Sequence, residues 1–92
     1  MIQPTTAGGV TDRALAILCQ VTGDRGLQTE LDVPLYASGV LDSLATVALM
    51  AAFEDEFGLT ISPAEFDRDA WSTPRALAAD IDRRVSGAAM RA

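Results

Sequence analysis

Histidine and lysine are both missing from this chain of 92 residues, and cysteine occurs once, at Cys19. Without histidine no His-dependent catalytic triad and no Cys/His metal site can be assembled, and nothing stands ready to deprotonate a serine nucleophile. A lone cysteine excludes an intrachain disulfide, and the expected place for Cys19 is the core, as a small buried residue. Aromatic residues are few and alanine is abundant. A chain this short buries only a modest core unless it is largely helical. No apolar run is long enough to span a membrane, and Met1-Ile2-Gln3-Pro4 has neither the charged nor the apolar region of a signal peptide. The expectation is a cytoplasmic protein, monomeric and without membrane insertion.

Charge is unevenly placed. The net charge is −6, and between Arg25 and Arg68 lie Glu30, Asp32, Asp42, Glu54, Asp55, Glu56, Glu65 and Asp67 with no basic residue among them. Such a stretch opposes nucleic acid, whose phosphates need positive neutralisation, and favours protein partners that present Arg or Lys. For any one of these carboxylates, a solvated helix surface is an equally good account.

Caps and apolar spacing predict four helical segments. The first runs from an N-cap at Thr11 to about Thr22, with Ala14, Leu15, Ile17, Leu18 and Val21 on its apolar side. Gly23 to Ser38 is then a long loop, too apolar at Leu27, Leu31, Val33, Leu35 and Tyr36 to be a free linker, and expected to pack across the bundle. The second helix spans Ser43 to Phe57, started by Asp42 and stopped by Gly58. Its expected buried face is Leu44, Val47, Ala48, Ala51 and Ala52, extended by Phe53 and Phe57. Ser62-Pro63-Ala64-Glu65 reads as a capping box opening a short third helix to about Asp67. Thr73-Pro74 repeats the signal for a fourth helix to about Val85, burying Leu77, Ile81 and Val85. Trp71, just before it, is expected to close the small core. The fold class is therefore all-α, an up-and-down four-helix bundle with a short third helix and a long loop between helices one and two. Residues 1–10 and 86–92 are expected to be flexible tails around a domain of residues 11–85.

The most informative stretch is Gly39-Val40-Leu41-Asp42-Ser43-Leu44, which puts a hydroxyl at the first position of the second helix. An accessible serine there can accept a group from another protein. A phosphodiester on it would lie beside the positive end of the helix dipole and within reach of unpaired N–H groups, although the Asp42 charge opposes it.

Asp42-Ser43-Leu44 before an amphipathic helix resembles the phosphopantetheine attachment motif of acyl and peptidyl carrier proteins. The resemblance covers roughly residues 11–85. It is carried most specifically by two blocks, Leu35-Tyr36-Ala37-Ser38-Gly39-Val40-Leu41-Asp42-Ser43-Leu44-Ala45-Thr46-Val47 and Glu65-Phe66-Asp67-Arg68-Asp69-Ala70-Trp71-Ser72-Thr73-Pro74, which are most similar to the D-alanyl carrier proteins of teichoic acid modification. The resemblance implies the acyl carrier protein fold and a covalent 4′-phosphopantetheine on Ser43, taken from coenzyme A, with Asp42 and Leu44 completing the motif. It implies a carrier rather than an enzyme. A phosphopantetheinyl transferase would install the arm, an adenylating amino acid ligase would load its thiol as a thioester, and an acyltransferase or downstream synthase would receive the cargo. Partner contacts are expected on the exposed side of the second helix at Ala45, Thr46, Leu49 and Met50, with Glu54 one turn on. Met50 has a competing reading as core filler.

Cargo is not written in any residue. All seven basic residues are arginine and alanine is heavily used, as in a high-GC genome. The main expectation is therefore a freestanding aminoacyl carrier of a natural-product pathway, polyketide or nonribosomal, such as one handling a β-amino acid for a macrolactam. The alternative is a D-alanyl carrier protein for teichoic acid D-alanylation. A further alternative is an acidic interaction domain that never carries an arm, against which the intact Asp-Ser-Leu triplet argues. An autonomous Ser43 hydrolase lacks a base and a pocket-forming sheet.

Overall fold

The computed structural model describes residues 9–91. Helix α1 spans Gly9–Thr22, α2 Ser43–Phe57 and α3 Pro74–Arg91, with single 3₁₀ turns at Arg25–Gln28, Pro63–Glu65 and Arg68–Trp71. Among the described residues the structure is all-helical, which agrees with the expected fold of acyl carrier type.

Local chemistry explains the ends of α2. Asp42 has an extended backbone and its side chain accepts from the Ala45 N–H, while Gly58 takes the left-handed conformation (φ 69°) and its N–H bonds to the Glu54 carbonyl. Both signals stand in the sequence, and both ends fall where it predicts. At α3 the Thr73 hydroxyl accepts from the Ala76 N–H at 3.1 Å, and Pro74 occupies the first turn, where its missing N–H costs nothing.

Other boundaries shift. α1 begins two residues before Thr11, and α3 continues through residues 86–91, where a flexible tail is expected from the composition. The apolar stripe ends at Val85, so periodicity carries no signal beyond it. One interior glycine, Gly87, costs only about 1 kcal/mol relative to alanine and does not stop the helix. Residues 1–8 of the expected N-terminal tail, and Ala92, lie outside the described residues.

The expected third helix is replaced by the two separate 3₁₀ turns. Ser62 makes no side-chain cap bond, and Phe66 returns to an extended conformation (ψ 134°) that ends the first turn. The Glu65 side chain of the expected capping box lies outside the described set. Asp67 then opens the second turn by accepting from the Asp69 N–H.

α1 packs against both other helices, contributing Ala14, Leu15, Leu18 and Cys19 to the core. Trp71, fully buried, links the other two: its ring meets Phe53 of α2 edge-on at 5.6 Å, and its Nε1 donates to Asp80 of α3 at 2.9 Å. Asp80 also accepts from Arg83 and Arg84. Its carboxylate is thereby paired despite burial. The long loop crosses the bundle as its composition requires, with Leu27 and Leu35 fully buried. Leu35 N–H donates to the Ser72 carbonyl at 2.8 Å and Arg75 N–H to the Leu31 carbonyl at 2.9 Å. These two bonds tie the segment ahead of α2 to the start of α3 and the residues just before it.

Candidate functional site

The mouth of α2 is built by a turn anchored at both sides. Leu35 and Leu41 are buried, and the Leu41 N–H returns to the Leu35 carbonyl at 3.0 Å. Between them the chain reverses through Gly39, whose φ of +85° a side-chain-bearing residue rarely adopts. The chain therefore emerges from the core at Leu41 and exposes Asp42, Ser43 and Leu44 in succession.

Ser43 is the first residue of α2. The Asp42 carboxylate takes the Ala45 N–H at 2.8 Å and the Asp42 carbonyl takes the Thr46 N–H at 2.9 Å. Neither bond uses the N–H groups of Ser43 or Leu44, which remain among the free donors of a helix start.

Three further side chains complete the site. Thr46 is buried, and its hydroxyl donates to the Asp42 carbonyl at 2.7 Å. That use of its one hydrogen makes the Thr46 oxygen the acceptor for the Tyr36 hydroxyl, also at 2.7 Å. The Arg68 guanidinium lies over the Tyr36 ring, 4.6 Å from its centroid, and its Nη2 donates to Ser43 Oγ at 3.3 Å. The fold thus joins the two sequence blocks at one hydroxyl: Tyr36, Asp42, Ser43 and Thr46 from the first, Arg68 from the second.

Neither Arg68 nor Tyr36 was singled out from the sequence as part of the site. A signal for Arg68 existed, since it is the first cation after the long acidic stretch. Its approach to Ser43, across 25 positions, is a product of the fold.

The expected partner face of α2 is corrected by the structure. Thr46 (6% exposed), Leu49 (0%) and Met50 (5%) point into the core, and Ala45 is half-buried. Leu44 and Val47 are 80% and 56% exposed, with Ala48 and Ala51 also on the surface. Leu44, Val47, Ala48 and Ala51 of the predicted buried face therefore lie outside, whereas Phe53 of that face is fully buried and Ala52 and Phe57 are half-buried. The cause is that apolar residues occupy every side of the first three turns of α2, so spacing does not set their phase, and the interior takes Leu49, Met50 and Phe53. Met50 is core filler.

Glu54 is half-buried, and its Oε2 accepts from the Ile61 N–H at 2.9 Å, bracing the chain after α2. Other members of the acidic stretch are similarly engaged, Asp32 with Arg75 and Glu56 with Arg13. The Arg75 guanidinium, through its hydrogen bonds first and its charge second, holds the Asp32 carboxyl below its ordinary pKa.

Cys19 stands apart from this site. Burial pushes its thiol pKa up, and its Sγ rests 3.7 Å from the Arg25 carbonyl. A groove of ≈ 630 Å³ beside it is lined by Ala16, Gln20, Gly23, Arg25 and Gln28 and includes none of the residues around Ser43. Among the described residues no cluster of acidic or cysteine side chains could hold a metal ion, and no helix is long and apolar enough to cross a membrane.

Comparison with known proteins fits this geometry. Residues 12–81 match the family model described as phosphopantetheine attachment site. The D-alanyl carrier protein of Bacillus licheniformis is 43% identical over 60 residues, covering 65% of this chain and 77% of that protein. That of Lacticaseibacillus casei is 35% identical over 74 residues, covering 80% and 91%, and that of Enterococcus faecalis 33% identical over 73 residues, covering 79% and 94%. The chain belongs to the phosphopantetheine-attachment family, as a non-catalytic carrier modified by a phosphopantetheinyl transferase to bear covalent 4′-phosphopantetheine.

Proposed function

We propose that Ser43 is the residue that bears the phosphopantetheine, and that the chain delivers a D-alanyl group between an adenylating ligase and an acyltransferase. The observation that carries the first part is the exposed Ser43 hydroxyl at the mouth of α2, with a guanidinium donating to it and free backbone N–H groups in the same turn. These groups fit an anion bonded to that oxygen. When bound, the prosthetic group supplies a thiol that holds acyl or aminoacyl cargo as a thioester.

The chain's own contribution is presentation. Asp42 fixes the first turn, Leu41 roots it in the core, and Ser43 stands clear of the surface. With histidine absent and no carboxylate bonded to Ser43 Oγ among the described contacts, the proton lost from that hydroxyl goes to a base on the transferase. Leu44, Val47, Ala48 and Ala51 form the apolar surface next to Ser43 on which partners dock, in place of Leu49 and Met50.

The named relatives support D-alanine as cargo and teichoic acid D-alanylation as the setting better than they support a natural-product assembly line. Intact and fragment mass spectra of the protein purified from its own cells test both parts. Phosphopantetheine on Ser43 bearing alanine is the expected result. A β-amino acid or dipeptide on the thiol would return the chain to natural-product biosynthesis. An unmodified Ser43, in cells whose other carriers are loaded, would refute the carrier role at this residue and favour an interaction domain.

A further inference from the structure

Installing a phosphodiester on Ser43 places a negative charge next to Asp42, in the longest part of the chain without a cation. The fold brings one there from outside that stretch. Arg68 reaches Ser43 Oγ with Nη2 at 3.3 Å while its guanidinium lies over Tyr36. Tyr36 is held in turn by Thr46, and Thr46 by the Asp42 carbonyl, so the platform under Arg68 is fixed to the same first turn of α2 that presents the serine. On the other side Arg68 opens the turn that ends at the buried Trp71.

A neutral serine hydroxyl occupies only one of the guanidinium's five donors. A phosphodiester on the same oxygen offers two acceptor oxygens that share one negative charge to a planar fork already held beside it. Stacking on Tyr36 limits the freedom that such a long side chain would lose on pairing.

We infer that Arg68 is a positioning residue, with Tyr36 as its platform: it pairs with the phosphodiester formed on Ser43, offsets the Asp42 charge and fixes the direction in which the arm leaves the protein. This inference rests on Ser43 being the attachment residue.

Its test is side-chain arginine NMR on ¹⁵N-labelled wild-type protein before and after loading with coenzyme A and a transferase, alongside the ³¹P spectrum of the loaded form. Arg68 signals are assigned by their loss in unloaded Arg68→Ala, so the assignment does not depend on that variant being loaded. Intact mass and Ser43 fragments are read on the same samples. The expected result is loaded Ser43, a shift of the Arg68 guanidinium signals with slower hydrogen exchange, and a ³¹P resonance that moves as salt is raised and the exposed pair is screened. Loaded Ser43 with unmoved Arg68 signals and a salt-insensitive ³¹P resonance overturns the pairing while leaving the carrier reading intact. Failure of Ser43 to gain the arm overturns the carrier reading and this inference with it. A Tyr36→Leu protein gives an independent check: weakened Arg68 shifts on loading support the platform, and unchanged shifts overturn it.

Discussion

Replacing Met50 and Val47 separately by glutamate tests which way α2 faces. Met50 is 5% exposed between Leu49 and Phe53, both fully buried, whereas Val47, three residues earlier, is 56% exposed. Truncating a buried methionine costs about 2–5 kcal/mol. Met50→Glu adds the burial of a carboxyl group, whose penalty when ionised is several kcal/mol more even after relaxation, on the order of the first loss again. A domain of this size has a total stability of roughly 5–14 kcal/mol, so Met50→Glu takes most or all of it. In thermal unfolding followed by circular dichroism, at about 4–8 °C per kcal/mol for a small domain, the variant melts at least ~20 °C below wild type or has no cooperative transition. Val47→Glu gives up less than half of the ~1.5–3 kcal/mol that full burial of a valine is worth. Glutamate's better helix propensity returns a few tenths, about 0.3 kcal/mol. Its melting temperature stays within about 8 °C of wild type. Met50→Leu, a volume-conserving control, costs less than about 1.5 kcal/mol. A folded Met50→Glu with a near-native transition, beside an unfolded Val47→Glu, would refute the orientation of α2 and restore the face that periodicity predicted. The folded Val47→Glu then serves a second use, since a charge in the apolar surface beside Ser43 should slow loading by the adenylating ligase.

Asp42→Ala removes the bond to the Ala45 N–H and is expected to destabilise by ~1 kcal/mol in urea unfolding, with Asp42→Asn restoring most of it because asparagine caps as well as aspartate. Thr46→Val keeps the volume but deprives the Tyr36 hydroxyl of its acceptor; a loss of about 1–2 kcal/mol is expected, and Tyr36→Phe combined with it should restore part of that loss in a double-mutant cycle. Asp32 has a carboxyl pKa depressed by Arg75 in the folded state, so the pair contributes stability above the ordinary value of 3.8 and loses it as pH falls through the lower folded value. Acid unfolding curves of wild type and Arg75→Ala should differ above that value and converge below it, with a smaller difference at high salt because both side chains are exposed.

What the sequence disclosed about α2 divides along the range of the forces involved. Asp42 and Gly58 act on backbone groups within one turn, so the helix ends are written locally and stand where the residues predict. The facing of the helix is decided by the rest of the core, where Phe53 meets Trp71 and Leu49 and Met50 are buried, and first turns apolar on every side hold no local record of it. The same division explains the turns that replace a third helix. Ser62-Pro63 is a sound start signal, but the continuation depends on Phe66, whose ring packs on Trp71 at 4.5 Å and takes the chain out of helical conformation. It also explains why Ser43 is legible from its motif while Arg68 is not, since their contact joins residues of two separate blocks, which the fold also links through the Leu35–Ser72 bond.

The exposed apolar face is itself informative. A core that can choose among Leu44, Val47, Leu49, Met50 and Phe53 takes the last three and leaves a leucine and a valine in water within about a turn of Ser43. Leaving them there forgoes burial worth about 1.5–3 kcal/mol for each full side chain, and nothing in the isolated fold recovers it. On the proposed reading, in which Ser43 bears the arm, this apolar surface is for the complexes of a carrier, where each successive partner must bind the helix, reach the arm and let go. Periodicity predicts these residues in the core because it counts apolar side chains and carries no record of which of them the fold buries.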